Sequence, residues 1–169
     1  MIKLIENAFL IKFNNYLKTH KLDKAYTLKY SKMQNLPKDK KIILFDGVCN
    51  LCNNAVQFII KNDTRDIFRF VALQSELGNE ICKYIGVDQT KIDSIILYNP
   101  GVAYYYKSSA AIEIAEDLSG IYSLISIFKI FPEKLRNYIY DYIAKNRYKW
   151  YGKKESCMIP TPELKAKFL

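Results

Sequence analysis

Residues 41–45, Lys-Ile-Ile-Leu-Phe, form an apolar run with two β-branched isoleucines, the pattern of a strand buried on both faces. Asp46-Gly47 ends it. Leu51, Ala55, Phe58 and Ile59, with Cys52 and Val56 beside them, then recur at helical spacing to about Lys61, and Asn62-Asp63 closes that helix. Residues 67–73 read as a second strand, and Ser75 with Glu76 opens a helix to about Ile85 that Gly86 stops. Residues 94–98 and 102–106 read as two more strands joined by the turn Asn99-Pro100-Gly101. Ser108 or Ser109 is expected to cap a helix running through Ile112, Ala115 and Leu118 to Gly120.

The order strand, helix, strand, helix, strand, strand, helix predicts an α/β fold. A βαβ crossover makes the first two strands parallel neighbours, and the hairpin adds an antiparallel strand at the edge. A mixed four-stranded sheet with helices on both faces follows. Downstream come residues 121–131 and a helix with Pro132 at its first position, using Leu135, Ile139, Tyr142 and Ile143. Beyond Tyr148 the chain reads as aromatic, basic and irregular. Upstream, Ile5, Phe9, Phe13 and Tyr16 suggest a short amphipathic helix. This divides the chain into a basic extension, 1–38, a core, 39–120, and a C-terminal tail of helices and irregular chain packed on the core, 121–169. Met33, just upstream of the first strong strand, is a second place at which the functional chain could start.

Charge sharpens this division. Residues 1–40 hold nine Lys against Glu6, Asp23 and Asp39, so the extension carries +6 of the net +9. Its Lys residues are dispersed singly, so nucleic acid is not expected as a partner, whereas weak contact with a membrane surface through the basic N-terminal segment stays open. The N-terminal residues lack a long uncharged core, and no stretch reaches the ~20 apolar residues of a membrane span, so a cytoplasmic location is expected.

Four cysteines are too sparse for a disulfide scaffold, which turns attention to their chemistry. Cys49-Asn50-Leu51-Cys52 lies between a buried strand and an amphipathic helix. At a helix start, two intervening residues bring the sulfurs within reach of a disulfide. Cys49 sits where unpaired backbone N–H groups and the positive end of the helix dipole converge, a position that favours a thiolate, so Cys49 is the expected nucleophile. Cys52 is then the resolving thiol and Asp46 the acceptor for its proton. The charge on Asp46 opposes ionisation of Cys49, so dipole and carboxylate compete. Gly47 is expected to permit the tight strand-to-helix turn.

Other readings compete. A structural zinc site needs four ligands, and Cys82, Cys157 and His20 are isolated. Haem attachment would need a histidine where Asn53 stands. Both cysteines could also be small buried apolar residues. No metal is expected, and no cofactor beyond a reversible Cys49–Cys52 disulfide.

Asp46-Gly47-Val48-Cys49-Asn50-Leu51-Cys52, with 70–75 (Phe-Val-Ala-Leu-Gln-Ser), 108–111 (Ser-Ser-Ala-Ala), Asn146-Arg147-Tyr148 and 157–160 (Cys-Met-Ile-Pro), resembles the DCC family, also called DUF393, of predicted thiol-disulfide oxidoreductases. The resemblance spans about residues 41–169. It implies a thioredoxin-like fold and a site built on Asp46, Cys49 and Cys52. Thioredoxins place a cis-proline before the third core strand, where this chain has Asp93-Ser94. Docking of peptide substrates in their manner is therefore in doubt, and Ser94 either offers a hydroxyl near the thiols or, as favoured here, begins the strand. Arg147 either supplies positive charge to the site or sits at a solvated helix end. Cys157 is either a third thiol or, as preferred, structural, and Cys82 reads as core.

The function expected is a thiol-disulfide oxidoreductase of the protein-disulfide reductase type. It would act on a disulfide-containing protein or small-thiol substrate and be recharged by an unidentified electron donor. The alternative is a non-catalytic module whose partner binding responds to the state of Cys49 and Cys52.

Overall fold

The computed structural model describes residues 3–4, 35–90, 94–118, 120–155 and 161–169. The expected helix near the N-terminus falls outside these residues apart from a two-residue strand, as do His20, Met33, Asp93 and Cys157. The strands are β1 (Lys3–Leu4), β2 (Lys41–Phe45), β3 (Phe68–Ala72), β4 (Ile96–Asn99) and β5 (Ala103–Tyr106). The helices are α1 (Asn50–Asn62), α2 (Glu76–Tyr84), α3 (Lys107–Asp117) and α4 (Glu133–Tyr151), with 3-10 helices over Gly120–Ile130 and Pro162–Lys167.

Strand β2 is the spine. Its side chains alternate between two cores, as the period of two requires. Ile42 and Leu44 join Ile81 and Cys82 of α2, while Ile43 and Phe45 join Val56 and Ile59 of α1 and Ala110 and Ile114 of α3. Cys82 is thus a core residue, as expected. Each fully buried side chain of this size contributes about 1.5–3 kcal/mol, so β2 and its ends are held from both faces. The sheet order is β1-β5-β4-β2-β3, with β2 and β3 parallel and every other neighbouring pair antiparallel. It is the mixed four-stranded, thioredoxin-like arrangement expected, lengthened at its β5 edge by the two residues of β1.

Close approach of α2 to β3 depends on Gly78, where an added Cβ would lie 2.2 Å from the Ala72 carbonyl oxygen. Ser75 caps this helix, its hydroxyl accepting from Gly78 N at 3.0 Å. At the chain terminus, Phe168 packs on Phe45 and Phe70, with ring centroids 6.2 and 5.6 Å apart.

Two expectations need correction. Helix α3 begins at Lys107 without a side-chain cap, and the Ser108 hydroxyl instead donates to Asn137 Oδ1 of α4 at 2.5 Å. Helix α4 starts after Pro132, runs to Tyr151, and turns its polar side inward. Leu135, Ile139, Tyr142 and Ile143, read as its packing face, are exposed. Inward-facing polar groups replace them because each finds a partner: Asp141 pairs with Lys107 at 2.8 Å, and Tyr140 accepts from Ile95 N at 3.1 Å.

Candidate functional site

The site forms where β2 ends and α1 begins. Cys49 is the N-cap of α1, and its sulfur accepts a hydrogen bond from Cys52 N at 3.3 Å. A helix N-terminus leaves its first amides without carbonyl partners, and here a sulfur takes one of them. Both cysteines are free thiols. Cys49 is fully buried and Cys52 half-buried. The sulfurs and an Asp46 carboxylate oxygen all lie within 4.8 Å of one another.

The chain that leaves α4 runs against the cysteine loop. Gly152 adopts φ +83°, a conformation that L side chains rarely take, and turns the backbone over the cysteine loop. Lys153 then forms an antiparallel bridge with Cys49, and Lys154 N donates to the Val48 carbonyl at 2.8 Å. Asn50 Nδ2 adds a bond to the Tyr151 carbonyl at 2.9 Å. Val48, Gln74, Tyr148 and residues 153–155 line an open depression of about 500 Å³ beside this crossing.

Asp46, at the end of β2, is buried and fully engaged. Arg147 Nη2 donates to its Oδ2 at 3.0 Å, and the Tyr148 hydroxyl donates to the same oxygen. Gln74 Nε2 donates to Oδ1 at 2.7 Å, as does Val48 N at 3.1 Å. Burial opposes ionisation of this carboxyl, but the hydrogen bonds from Tyr148, Arg147, Gln74 and Val48 outweigh it and hold the group below the usual carboxylate range. Asp46 is therefore charged at neutral pH. The Tyr148 hydroxyl is pushed up to about 12, first by burial and then by its bond to Asp46 and that group's charge. Cys52 is pushed well above the ordinary thiol range by burial, then by its hydrogen bond to Cys49 and the charges of Cys49 and Asp46, with Arg147 acting in the opposite sense.

A second layer fixes the loop. Gly47 N donates to Gln74 Oε1 at 3.1 Å, and buried Asn53 donates through Nδ2 to the Gly47 carbonyl at 3.2 Å. Gly47 thus serves through its backbone. Of the residues singled out in the sequence, the structure brings together Asp46, Gly47, Cys49, Cys52 and Arg147. Arg147 is a buried ion-pair partner rather than a solvated helix end. Ser94 is buried and its hydroxyl donates to the Ile95 carbonyl at 3.2 Å. Tyr148, Gln74 and Asn53 escaped notice as site residues. Gln74 and Tyr148 stand inside the motifs that carried the resemblance, but nothing local marks them as partners of an aspartate 28 and 102 positions away.

Asp46, Cys49 and Cys52 are also a conceivable donor set for a thiophilic cation. Both Asp46 oxygens, however, already accept two hydrogen bonds each, including one from a buried guanidinium that an incoming cation would have to displace. The arrangement suits a dithiol beside a fixed negative charge better than a metal.

Comparison with known proteins agrees with this geometry. The family model for DCC1-like thiol-disulfide oxidoreductases matches residues 43–153. The chain is similar to the uncharacterized protein YuxK of Bacillus subtilis (strain 168), with 46% identity over 129 residues that cover 76% of this chain and 93% of YuxK. It is also similar to the chloroplastic DCC family protein At1g52590 of Arabidopsis thaliana, with 37% identity over 121 residues covering 70% of each chain. No solved structure gives a significant match.

Proposed function

The chain belongs to the DCC1-like thiol-disulfide oxidoreductase family, and from that premise we propose that it reduces disulfides of proteins or small molecules through Cys49 and Cys52. The observation that carries this reading is the Cys49 sulfur at the N-cap of α1, receiving the Cys52 amide, with the second thiol close by. Cys49 attacks as the thiolate. One substrate sulfur bonds to Cys49, the substrate S–S bond breaks, and the departing sulfur takes a proton from solvent. Cys52 then loses its proton and attacks the Cys49 sulfur, releasing the second substrate sulfur as a thiol and leaving a Cys49–Cys52 disulfide. The substrate gains two electrons and the protein loses two, which an external thiol donor restores.

The environment of Cys52 orders these steps. Beyond burial, the hydrogen bond of the Cys52 thiol to Cys49 and the charge on Cys49 both disfavour the Cys52 thiolate. Once Cys49 is tied up in the mixed disulfide both influences fall away, and Cys52 ionises more readily. Asp46 is the ionised carboxylate within 4.8 Å of both sulfurs, and it takes that proton in transit once one of its four hydrogen bonds opens. Its own hydrogen bonds favour the charged form, so it passes the proton on to solvent. Access to Cys49 requires residues 152–155 to lift from Val48 and Cys49, which exposes a short backbone edge to an extended substrate.

Insulin reduction driven by a small dithiol tests the assignment. Wild type should accelerate precipitation of the insulin B chain, and Cys49→Ser should return the rate to the uncatalysed value. Equal rates for the two proteins would remove the activity and favour the binding-module alternative. The cytoplasm, with its reducing thiol pool, is the compartment proposed for this chemistry.

A further inference from the structure

We propose that the outward face of the Gly120–Ile130 helix and α4 docks on an anionic phospholipid surface. Helix α4 is inverted relative to an ordinary surface helix. Its polar side chains Asn137, Tyr140, Asp141 and Arg147 face the protein and are bonded to Ser108, Ile95, Lys107 and Asp46. Leu135, Tyr138, Ile139 and Tyr142 are left outside, with Tyr138 74% exposed. The preceding 3-10 helix continues the same character: Ile121, Leu124, Ile127 and Ile130 are each more than 60% exposed. The two segments are contiguous at Phe131-Pro132, and both pack on α3. An exposed apolar band of this extent marks an interaction surface rather than ordinary solvent-facing chain.

Charge selects the occupant. On α4 the exposed charged side chains are Lys134, Lys145 and Lys149, with no exposed acid among them. The acids Glu133 and Asp141 are partly covered, and Asp141 is paired with Lys107. A two-fold contact with a second copy would set this lysine-rich face against itself. An anionic bilayer complements it, because apolar side chains enter the headgroup boundary while lysines reach phosphate and aromatic residues such as Tyr138, Tyr142 and Trp150 sit at the interface. Among the described residues no helix is long and apolar enough to cross a membrane, so contact would lie in the surface plane. The membrane contact left open for the N-terminal segment lies outside the described residues, and this face is at the other end of the chain.

Co-sedimentation of the full-length protein with phosphatidylcholine vesicles, with and without roughly 30% phosphatidylserine, tests the proposal. Wild type should bind the anionic vesicles at least about tenfold more tightly than neutral ones, and binding should weaken as salt rises. The double variant Ile127→Glu/Tyr138→Glu should lose at least about tenfold in affinity while keeping its circular dichroism spectrum. Lys145→Glu/Lys149→Glu, which spares the apolar band, should abolish the preference for phosphatidylserine. Absence of vesicle binding by wild type, equal binding to both compositions, or binding indifferent to both variants would each overturn the proposal. A wild-type dimer in light scattering that Ile127→Glu/Tyr138→Glu splits would assign the face to a second copy and overturn it as well.

Discussion

Replacing Arg147 with Met should cost far more stability than loss of an exposed cation. The pair it forms with Asp46 has its two side chains only 6% and 7% exposed, with Nη2 and Oδ2 3.0 Å apart. Removing one partner of such a pair leaves a buried charge without compensation and costs about 3–5 kcal/mol, whereas exposed pairs are worth about 0–1 kcal/mol. For a chain of this size that corresponds to a fall in melting temperature of about 6–20 °C. The pH dependence has a definite sign. In wild type the Asp46 carboxyl sits below its ordinary value of 3.8, so its contribution is present above pH 3.8 and is lost as pH falls further. In Arg147→Met one of the bonds that lowers it is gone while burial still raises it, so the difference in stability between the proteins should narrow as pH falls toward 3.8 and below. Urea unfolding followed by far-ultraviolet circular dichroism at pH 7 and at acid pH measures both effects. Adding Asp46→Asn to Arg147→Met should recover about 1–3 kcal/mol, because the stranded charge is removed. A loss at pH 7 below about 1 kcal/mol for Arg147→Met would refute the buried-pair account.

Other outcomes follow from the same geometry. Tyr148→Phe removes a hydrogen bond to a charged acceptor and should cost about 1.5–3 kcal/mol at pH 7. It should also abolish the stability component that wild type loses between pH 10 and about 12, the window set by the raised Tyr148 hydroxyl, as alkaline unfolding curves would show. Gly78→Ala should destabilise by at least about 1–3 kcal/mol in thermal melts, since its Cβ would meet the Ala72 carbonyl. Lys154→Pro deletes the amide that bonds to Val48, and if residues 152–155 gate Cys49 it should speed iodoacetamide labelling of that thiol about fivefold. An unchanged labelling rate would mean that the thiol is reached by another route.

Much of the architecture was legible because strand burial leaves a simple trace. The apolar run at Ile42-Ile43-Leu44-Phe45 could only be a strand covered on both sides, and its two cores confirm why no polar position interrupts it. Cys49 and Cys52 were equally visible, since their spacing and their place at a helix start are local properties. Helix α4 was not. Period alone identifies an apolar stripe, and the usual inference that the stripe faces inward fails when long-range partners satisfy the polar side. The pairing of Asp46 with Arg147 spans 101 positions, and no local pattern encodes it. One clue was physical: an aspartate at the end of a doubly buried strand calls for a buried cation, and Arg147 was a candidate. Ser108 misled for a related reason, because a hydroxyl well placed to cap α3 was committed to Asn137 of α4.

In the proposed mechanism Cys49 meets substrate and Cys52 resolves the mixed disulfide. Cys52→Ser protein incubated with a peptide disulfide and analysed by intact-mass and peptide mapping tests this directly. A single mixed disulfide on Cys49, with none on Cys52→Ser/Cys49→Ser, is the result expected. Modification of Cys82 in preference to Cys49, or no adduct under conditions where a free thiol peptide reacts, would contradict it.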